Sequence, residues 1–208
     1  MSQKIGIIGS GSWATAIVKI LSNNCDSLNW FFRNQEDIEY IKANHHNPKY
    51  LSSVDFDLKK INFFNDVKEC ISKSDIIILA IPSAFLHTSL KGSAGEDFKN
   101  RIIFSAIKGI IPEYNLIVGE YLNTVYEIPL ENIGVITGPC HAEEVAMEKL
   151  SYLTIACSKI SNAELLYSSL NCRYIKTTAS DDIYGTELSA VIKNVIAVAG
   201  GICHSLGY

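Results

Sequence analysis

Short apolar runs rich in β-branched residues alternate along most of this sequence with segments that repeat apolar residues every three or four positions. The runs predicted as strands are 4–9, 28–33, 75–82, 101–107, 133–137, 152–157 and 173–178. The segments predicted as helices are 14–24, 35–45, 65–73, 116–126, 142–150 and 162–170. Strands that are apolar at nearly every position are typical of a parallel sheet covered by helices on both faces. The sequence therefore predicts an α/β fold with a doubly wound, largely parallel sheet.

The pattern changes after about Ser180, because from there the chain is helix-like to its end. The stretch LSAVIKNVIAVAGG (188–201) belongs to a predicted helix from about Ile183 to Ser205. We therefore expect a first domain over residues 1–180 and the start of a helical domain over residues 181–208.

Composition and charge exclude several classes of protein. A net charge of −4 over 208 residues argues against a nucleic-acid partner. The longest uninterrupted apolar runs are too short to cross a bilayer, and the amino terminus has no signal-peptide pattern. The cysteines show no CxxC or Cys/His spacing typical of a metal site. We therefore expect a cytoplasmic protein that does not span a membrane, with reduced thiols and no bound metal.

The first loop carries the clearest chemical signal. Gly9, Gly11 and Ala14 form a G-x-G-x-x-A pattern directly after a predicted strand and at the start of a predicted helix. Gly9 permits a tight turn, Gly11 allows a pyrophosphate to approach the backbone, and Ala14 lets helix and strand pack closely. The pattern predicts a dinucleotide site with phosphates at the helix amino terminus, and the alternative is a plain structural turn.

The end of the second predicted strand indicates which dinucleotide binds. Domains that select NAD usually place Asp or Glu there, whereas this chain has Phe32, Arg33 and Asn34. An Arg can face the 2′-phosphate of adenosine, so Arg33 favours NADPH over NADH, although NAD remains open. The alternative is a solvated Arg at a strand end. Glu36 and Asp37 are interpreted as favourable charges in the first turn of the next helix.

Further loops follow strands at the edge where open parallel sheets bind ligands. Pro82 leaves one strand, Lys108 follows the next, and Gly138 with Cys140 precedes a predicted helix. An ordinary turn and helix start at Pro82 and a solvated Lys108 are the structural alternatives. Although His141 follows Cys140, no third orienting residue is evident, so covalent cysteine catalysis is not expected.

Lys193 and Asn194 lie in the middle of the apolar last helix. Small residues share their flank of the helix, which would let a ligand or another backbone come close. Lys193 is either a snorkelling surface residue or a partly desolvated proton donor with a lowered pKa. Sequence position alone leaves these two interpretations open.

Together the motifs resemble the NAD(P)-dependent glycerol-3-phosphate dehydrogenases of the bacterial type. The resemblance rests on GSGSWATA (9–16), WFFRN (30–34), NPKYL (47–51), AIPS (80–83), AIKGI (106–110), TGPCHAEEVA (137–146) and GTELSAVIKNVIAVAGG (185–201). It implies an NAD(P)-binding Rossmann domain followed by a helical substrate domain. It also implies reversible NAD(P)H-dependent reduction of dihydroxyacetone phosphate to sn-glycerol 3-phosphate, which supplies phospholipid synthesis.

The resemblance also implies roles for individual residues. The implied catalytic residues are Lys193 as general acid/base, Lys108 and Asn194. The implied or predicted cofactor contacts are Gly9, Gly11, Ser12, Trp13, Arg33, Pro82, Lys108 and Ala142. The implied substrate contacts are Lys108, Gly138, Cys140 and Lys193.

Three departures from the family pattern qualify these expectations. Ala14 replaces a more usual glycine, and Cys140 stands where the family usually has Ser or Thr. The resemblance also implies that most of the helical domain, with residues that hold the substrate phosphate, lies outside these 208 residues. We therefore expect dinucleotide binding, little or no dehydrogenase activity from this chain alone, and a homodimer or other self-association through the exposed last helix. The alternatives are a related reductase of a hydroxy acid, sugar nucleotide or imine, and a non-catalytic dinucleotide-binding module.

Overall fold

The computed structural model describes residues 3–207, except for the side chain of Asn194. Its strands are Ile5–Ile8 (β1), Leu28–Phe31 (β2), Ile61–Phe64 (β3), Ile76–Leu79 (β4), Ile102–Ser105 (β5), Ile110–Ile111 (β6), Leu116–Ile117 (β7), Ile133–Thr137 (β8), Ser151–Cys157 (β9) and Ile175–Ser180 (β10). Its α-helices are Ser12–Leu21 (α1), Gln35–Asn44 (α2), Val67–Ser72 (α3), Ser83–Ser89 (α4), Val118–Tyr126 (α5), Ala142–Ala146 (α6), Ile160–Leu170 (α7) and Ile183–Ser205 (α8).

The main sheet contains eight strands in the order β10-β9-β8-β5-β4-β1-β2-β3. Neighbouring strands are parallel except for β8 and β9, and β6 pairs with β7 in a separate antiparallel hairpin. The prediction of a doubly wound, largely parallel sheet is therefore confirmed. The chain runs outward from β1 through β2 and β3 and then crosses back to β4. In such folds the ligand crevice lies beyond the carboxyl ends of the strands at this reversal, here β1 and β4.

The central strands are buried on both faces, as their continuous apolar sequence predicts. Ile7 and Ile78 pack into one hydrophobic cluster, whereas Ile8 and Ile77 pack into the other on the opposite face. Successive strand residues point to opposite faces, so this division follows directly from the period of two. Helices on each side complete the two clusters and leave the strand ends free to carry functional loops.

Several predicted boundaries differ from the structure. The strand β3 was not predicted, because it is a four-residue edge strand, and neither were the two-residue strands β6 and β7. The helix α4 was expected only as the helix start that is the alternative interpretation of the Pro82 turn. The helix predicted over 142–150 covers only Ala142–Ala146, and Glu148 beyond it has a left-handed φ of 55°. The strand predicted over 75–82 ends at Leu79, where the chain turns towards α4.

The helix α8 is attached to the sheet domain at its start and exposed along most of its length. The Asp182 carboxylate caps it by accepting a hydrogen bond of 2.8 Å from the N–H of Gly185. Further along, side chains such as Val195 and Ile196 are about two-thirds exposed, at 66% and 65%. By length and composition alone α8 could cross a membrane, because an 18-residue window has a mean hydropathy of 1.4. The length of uninterrupted apolar runs does not detect this helix, but core helices of soluble proteins pass the same test, so the expectation that the protein does not span a membrane stays a prediction.

Candidate functional site

The glycine loop between β1 and α1 has the geometry of a phosphate-binding turn. Gly9 has a φ of +133°, and a Cβ there would lie 2.3 Å from the carbonyl oxygen of Ala80, so only glycine fits. Among the described residues, no neighbouring atom lies within 4 Å of the Cβ position of Gly11, which leaves space for a ligand to approach the backbone. The first turn of α1 has no side-chain cap and no acidic residue, so its N–H groups can meet an anion. These features fit the pyrophosphate of a dinucleotide.

Two side chains that were not predicted as site residues support this loop from behind. The indole Nε1 of Trp30 donates a hydrogen bond of 2.8 Å to the Gly9 carbonyl oxygen. The amide Nδ2 of Asn47 donates a hydrogen bond of 3.0 Å to the Ser10 carbonyl oxygen. The motifs WFFRN and NPKYL contain these residues, but their sequence distance from the loop gave no sign of the contacts.

A first cleft of about 360 Å³ opens beside the glycine loop. It brings together seven of the predicted site residues, namely Gly11, Ser12, Trp13, Pro82, Lys108, Cys140 and Ala142. Gly9, another predicted site residue, is not among the residues that line the cleft, but it shapes the turn that borders it. His141 and Glu143 also line the cleft, although neither was predicted to do so. The loops after β1, β4, β5 and β8 thus meet at one edge of the sheet, as the topology requires.

Arg33 lies outside the lining of this cleft, just beyond the carboxyl end of β2. Its side chain is exposed, and within residues 3–207 its guanidinium forms no ion pair. Nearby, the carboxylate of Asp37 instead pairs with the Lys49 ammonium at 2.8 Å. Because β2 is the neighbour of β1, Arg33 lies at the sheet edge that also carries the glycine loop.

A second cleft of about 680 Å³ lies between the loop after β8 and the first half of α8. Gly138, Ser189, Ala190 and Lys193 line it, so the small residues of α8 border the cleft as their spacing predicts. Gly138 has a φ of +151°, and a Cβ there would lie 2.2 Å from the Tyr152 carbonyl oxygen. The predicted role of Asn194 concerns a side chain outside the described part of the structure.

Lys108 and His141 line both clefts, which makes the two clefts one continuous site. Partial burial lowers the pKa of the Lys108 ammonium, and the positive charge of Lys193 lowers that pKa further. Lys193 itself is exposed, so the described residues do not desolvate it as one sequence interpretation required. Two ammonium groups therefore face a common space, which suits a substrate with an anionic group.

Cys140 is buried next to Lys108. Burial raises the pKa of the Cys140 thiol, although a hydrogen bond with Ser151 and the charge of Lys108 oppose the increase. A neutral, buried thiol is a poor nucleophile, which supports the expectation that the site does not use covalent cysteine catalysis. Cys140 also does not cap α6, because the N-cap position belongs to His141.

Comparison with known proteins agrees with this geometry. The model of the family described as NAD-dependent glycerol-3-phosphate dehydrogenase N-terminus matches residues 4–163. The chain belongs to this family. The matched segment contains the glycine loop, Arg33, Lys108 and the loop with Cys140, and it ends before α8. The family resemblance stated from the sequence motifs is therefore confirmed.

Individual relatives extend the similarity through α8. A protein of Syntrophotalea carbinolica named glycerol-3-phosphate dehydrogenase [NAD(P)+] is 34% identical over 208 residues, which cover 99% of this chain and 62% of that protein. A solved structure of Plasmodium falciparum glycerol-3-phosphate dehydrogenase superposes with a TM-score of 0.86 at 26% identity, covering 98% of this chain and 59% of that one. The chain thus spans about three-fifths of the length of these family members.

A more distant structure shares the fold alone. An imine reductase from Myxococcus stipitatus superposes with a TM-score of 0.69 at 10% identity, covering 99% of this chain and 64% of that one. Similarity at this level shows a common architecture for the sheet and the following helix. It does not carry over a substrate or a reaction.

Proposed function

We propose that the protein to which this chain belongs is an NAD(P)-dependent glycerol-3-phosphate dehydrogenase. The observation that carries the proposal is the continuity of the two clefts through Lys108, with the glycine loop in the first and Lys193 in the second. Residues 1–180 form the cofactor domain, and residues 181–208 begin the helical substrate domain. The reaction is the reversible reduction of dihydroxyacetone phosphate to sn-glycerol 3-phosphate for phospholipid synthesis in the cytoplasm.

The cofactor binds in the first cleft. Gly9 shapes the turn, Gly11 and Ser12 meet the pyrophosphate with backbone N–H groups, and Trp13 lines the space beside them. Pro82 and Ala142 border the same cleft further along the sheet edge. Arg33, whose guanidinium forms no ion pair within residues 3–207, binds the 2′-phosphate of NADPH and so favours NADPH over NADH.

The substrate binds in the second cleft, between the Gly138 loop and α8. When bound, the nicotinamide supplies a hydride to the carbonyl carbon of dihydroxyacetone phosphate. Lys193 gives its proton to the developing alkoxide, and in the reverse direction it takes the proton from the alcohol. Lys108 adds positive charge beside the reacting oxygen, and Gly138 borders the substrate in the second cleft. Cys140 lines the first cleft beside Lys108 and contacts the substrate from that side. Asn194, next to Lys193 in sequence, helps to orient the substrate.

Two alternatives have weaker support. The second candidate is the alternative left open by the sequence, a related reductase of an imine, hydroxy acid or sugar nucleotide built on the same architecture. However, the combination of AIKGI, TGPCHAEEVA and the Lys193 helix resembles the glycerol-3-phosphate dehydrogenases, and their family model matches residues 4–163. A non-catalytic dinucleotide-binding module would not need a Lys193 ammonium in the lining of the second cleft.

The proton-donor role predicts a clean separation of binding from turnover. The Lys193→Ala variant, in a protein of the relatives' full length, should lose dihydroxyacetone phosphate-dependent NADPH oxidation by about a hundredfold or more. Its Kd for NADPH should stay within about twofold of wild type, because Lys193 does not line the first cleft. The exposed Lys176→Ala on β10 is the matched control and should retain activity. Near-normal turnover by Lys193→Ala would contradict the assignment.

A further inference from the structure

Asn47 is a buried polar residue outside the predicted site, in the loop between α2 and β3. Only 1% of it is exposed, and its side-chain amide uses its full hydrogen-bonding capacity. The Nδ2 group donates to the Ser10 carbonyl oxygen at 3.0 Å and to the Thr15 hydroxyl oxygen at 2.9 Å. The Oδ1 atom accepts from the N–H groups of Lys49 at 2.9 Å and Tyr50 at 3.2 Å. Asn47 therefore joins its own loop to the glycine loop and to α1.

These contacts fix the carbonyl groups of the glycine loop on one side. Asn47 holds the Ser10 carbonyl directly, and the Thr15 hydroxyl donates a hydrogen bond of 2.9 Å to the Gly11 carbonyl. In a planar trans peptide the carbonyl group and the following N–H group point in opposite directions. The N–H groups of Gly11 and Ser12 therefore point away from Asn47 and Thr15, which hold the preceding carbonyl groups. Both residues line the first cleft, so the two amides are available to a ligand there.

We propose that Asn47 is a positioning residue for the pyrophosphate of the dinucleotide. It acts through the peptide groups of the glycine loop, and it touches no cofactor atom. Its buried amide pre-orients the Gly11 and Ser12 N–H groups before the ligand arrives, so binding does not have to order them. This inference rests on the proposed binding of a dinucleotide in the first cleft.

The Asn47→Asp variant tests the inference with little change in shape. It keeps an oxygen that accepts from Lys49 and Tyr50, but a second carboxylate oxygen replaces Nδ2 and faces the Ser10 carbonyl oxygen. The carboxylate oxygen and the Ser10 carbonyl oxygen are then two buried acceptors without a donor between them, so the glycine loop loses the hydrogen bond from residue 47. The matched control is Asn44→Asp, which introduces the same charge three residues earlier, on the exposed surface of α2, where the Asn44 amide donates a hydrogen bond to the Tyr40 carbonyl oxygen of its own helix.

Two readouts separate a positioning role from a general contribution to stability. Without ligand, hydrogen exchange of the amides in residues 9–16 should accelerate in Asn47→Asp and stay unchanged in Asn44→Asp. With ligands, the affinities for NADPH and NADH should both fall by about tenfold or more, with their ratio preserved. The affinity for adenosine 2′-monophosphate, which has no pyrophosphate, should change less than about twofold.

A second pair of variants tests the same chain of contacts from its other end. Thr15→Val has almost the same shape, but it removes the hydroxyl that joins Asn47 to the Gly11 carbonyl, whereas Thr15→Ser retains a hydroxyl. Thr15→Val should show the same selective loss of dinucleotide affinity as Asn47→Asp, whereas Thr15→Ser should keep most of the wild-type affinity. This pair decides the question if Asn47→Asp does not fold.

The outcomes distinguish failure of this inference from failure of the proposed function. Selective loss of NADPH and NADH binding, with faster exchange in residues 9–16, supports the role of Asn47. Unchanged dinucleotide affinity in both Asn47→Asp and Thr15→Val, or an equal loss for adenosine 2′-monophosphate, overturns that role and leaves the proposed function standing. If the wild-type chain binds neither dinucleotide, the proposed function fails, and the inference fails with it.

Discussion

The buried carboxyl group of Glu187 predicts a specific dependence of stability on pH. Glu187 lies in α8, and its carboxylate oxygens accept hydrogen bonds of 3.2 and 3.3 Å from the N–H of Gly119 in α5. Burial raises the pKa of Glu187 from 4.5 to about 7, although hydrogen bonds from the Gly119 and Val118 backbone oppose this increase. The neighbouring charge of Glu120 raises the pKa further. The carboxyl group thus keeps its proton in the folded chain at pH values where it has lost it in the unfolded chain.

The sign and size of the effect follow from this difference. Between the unfolded and folded pKa values the native state binds more protons, so stability decreases as pH rises through this range. Each unit of pKa difference corresponds to about 1.4 kcal/mol, so ionisation of Glu187 costs about 3 kcal/mol in the free energy of unfolding between about pH 4 and about pH 8. The stability that the protonated Glu187 carboxyl group contributes is complete below its unfolded-state pKa of 4.5, and it is lost as the pH rises above its folded-state pKa of about 7.

Urea unfolding of wild type and Glu187→Gln at several pH values between about 5 and 8 would measure this contribution. The variant carries a neutral side chain of similar shape, so its free energy of unfolding should lack the decrease assigned to Glu187. Glu164→Gln, on the exposed surface of α7, is the matched control and should keep the wild-type slope. Parallel curves for wild type and Glu187→Gln would refute the argument.

Two further predictions concern the cofactor and the last helix. Arg33→Ala should weaken NADPH binding by about tenfold and NADH binding much less, because only NADPH carries the 2′-phosphate. Titration calorimetry would measure both affinities, and comparable losses for NADPH and NADH would contradict the role of Arg33. Ile196→Glu should reduce self-association through α8, because it places a charge on the apolar face of this helix, where Ile196 is 65% exposed. Sedimentation velocity would measure the effect, and a sedimentation coefficient equal to that of wild type at high concentration would contradict self-association through this face.

The fold could be predicted well for strands that are buried on both faces, because nearly every residue in such a strand is apolar. Runs such as Ile76–Leu79 are apolar throughout because both faces of the strand are covered. The edge strand Ile61–Phe64 could not be recognised in this way, because it pairs on one side only and three of its four residues are not fully buried. The boundary after Ser180 agrees with the start of α8, but the division into two domains remains a prediction.

The candidate site could be predicted only in part, for reasons of distance along the chain. Residues at strand ends, such as Lys108 and Gly138, converge because parallel strands end at one edge of the sheet. Asn47 contacts Ser10 from 37 positions away, and no local pattern predicts that hydrogen bond. The sequence also gave no indication that Lys108 and His141 would line both clefts, because this depends on how α8 packs against the sheet.

The most direct test of the account is the reaction of dihydroxyacetone phosphate with NADPH, catalysed by the protein at the full length of its relatives. The account predicts that NADPH is consumed and sn-glycerol 3-phosphate formed in equal amounts. It also predicts a far slower reaction with a 2-oxo acid or an imine offered at the same concentration. Faster consumption of NADPH with either of those compounds, or none with dihydroxyacetone phosphate, would contradict the proposed function.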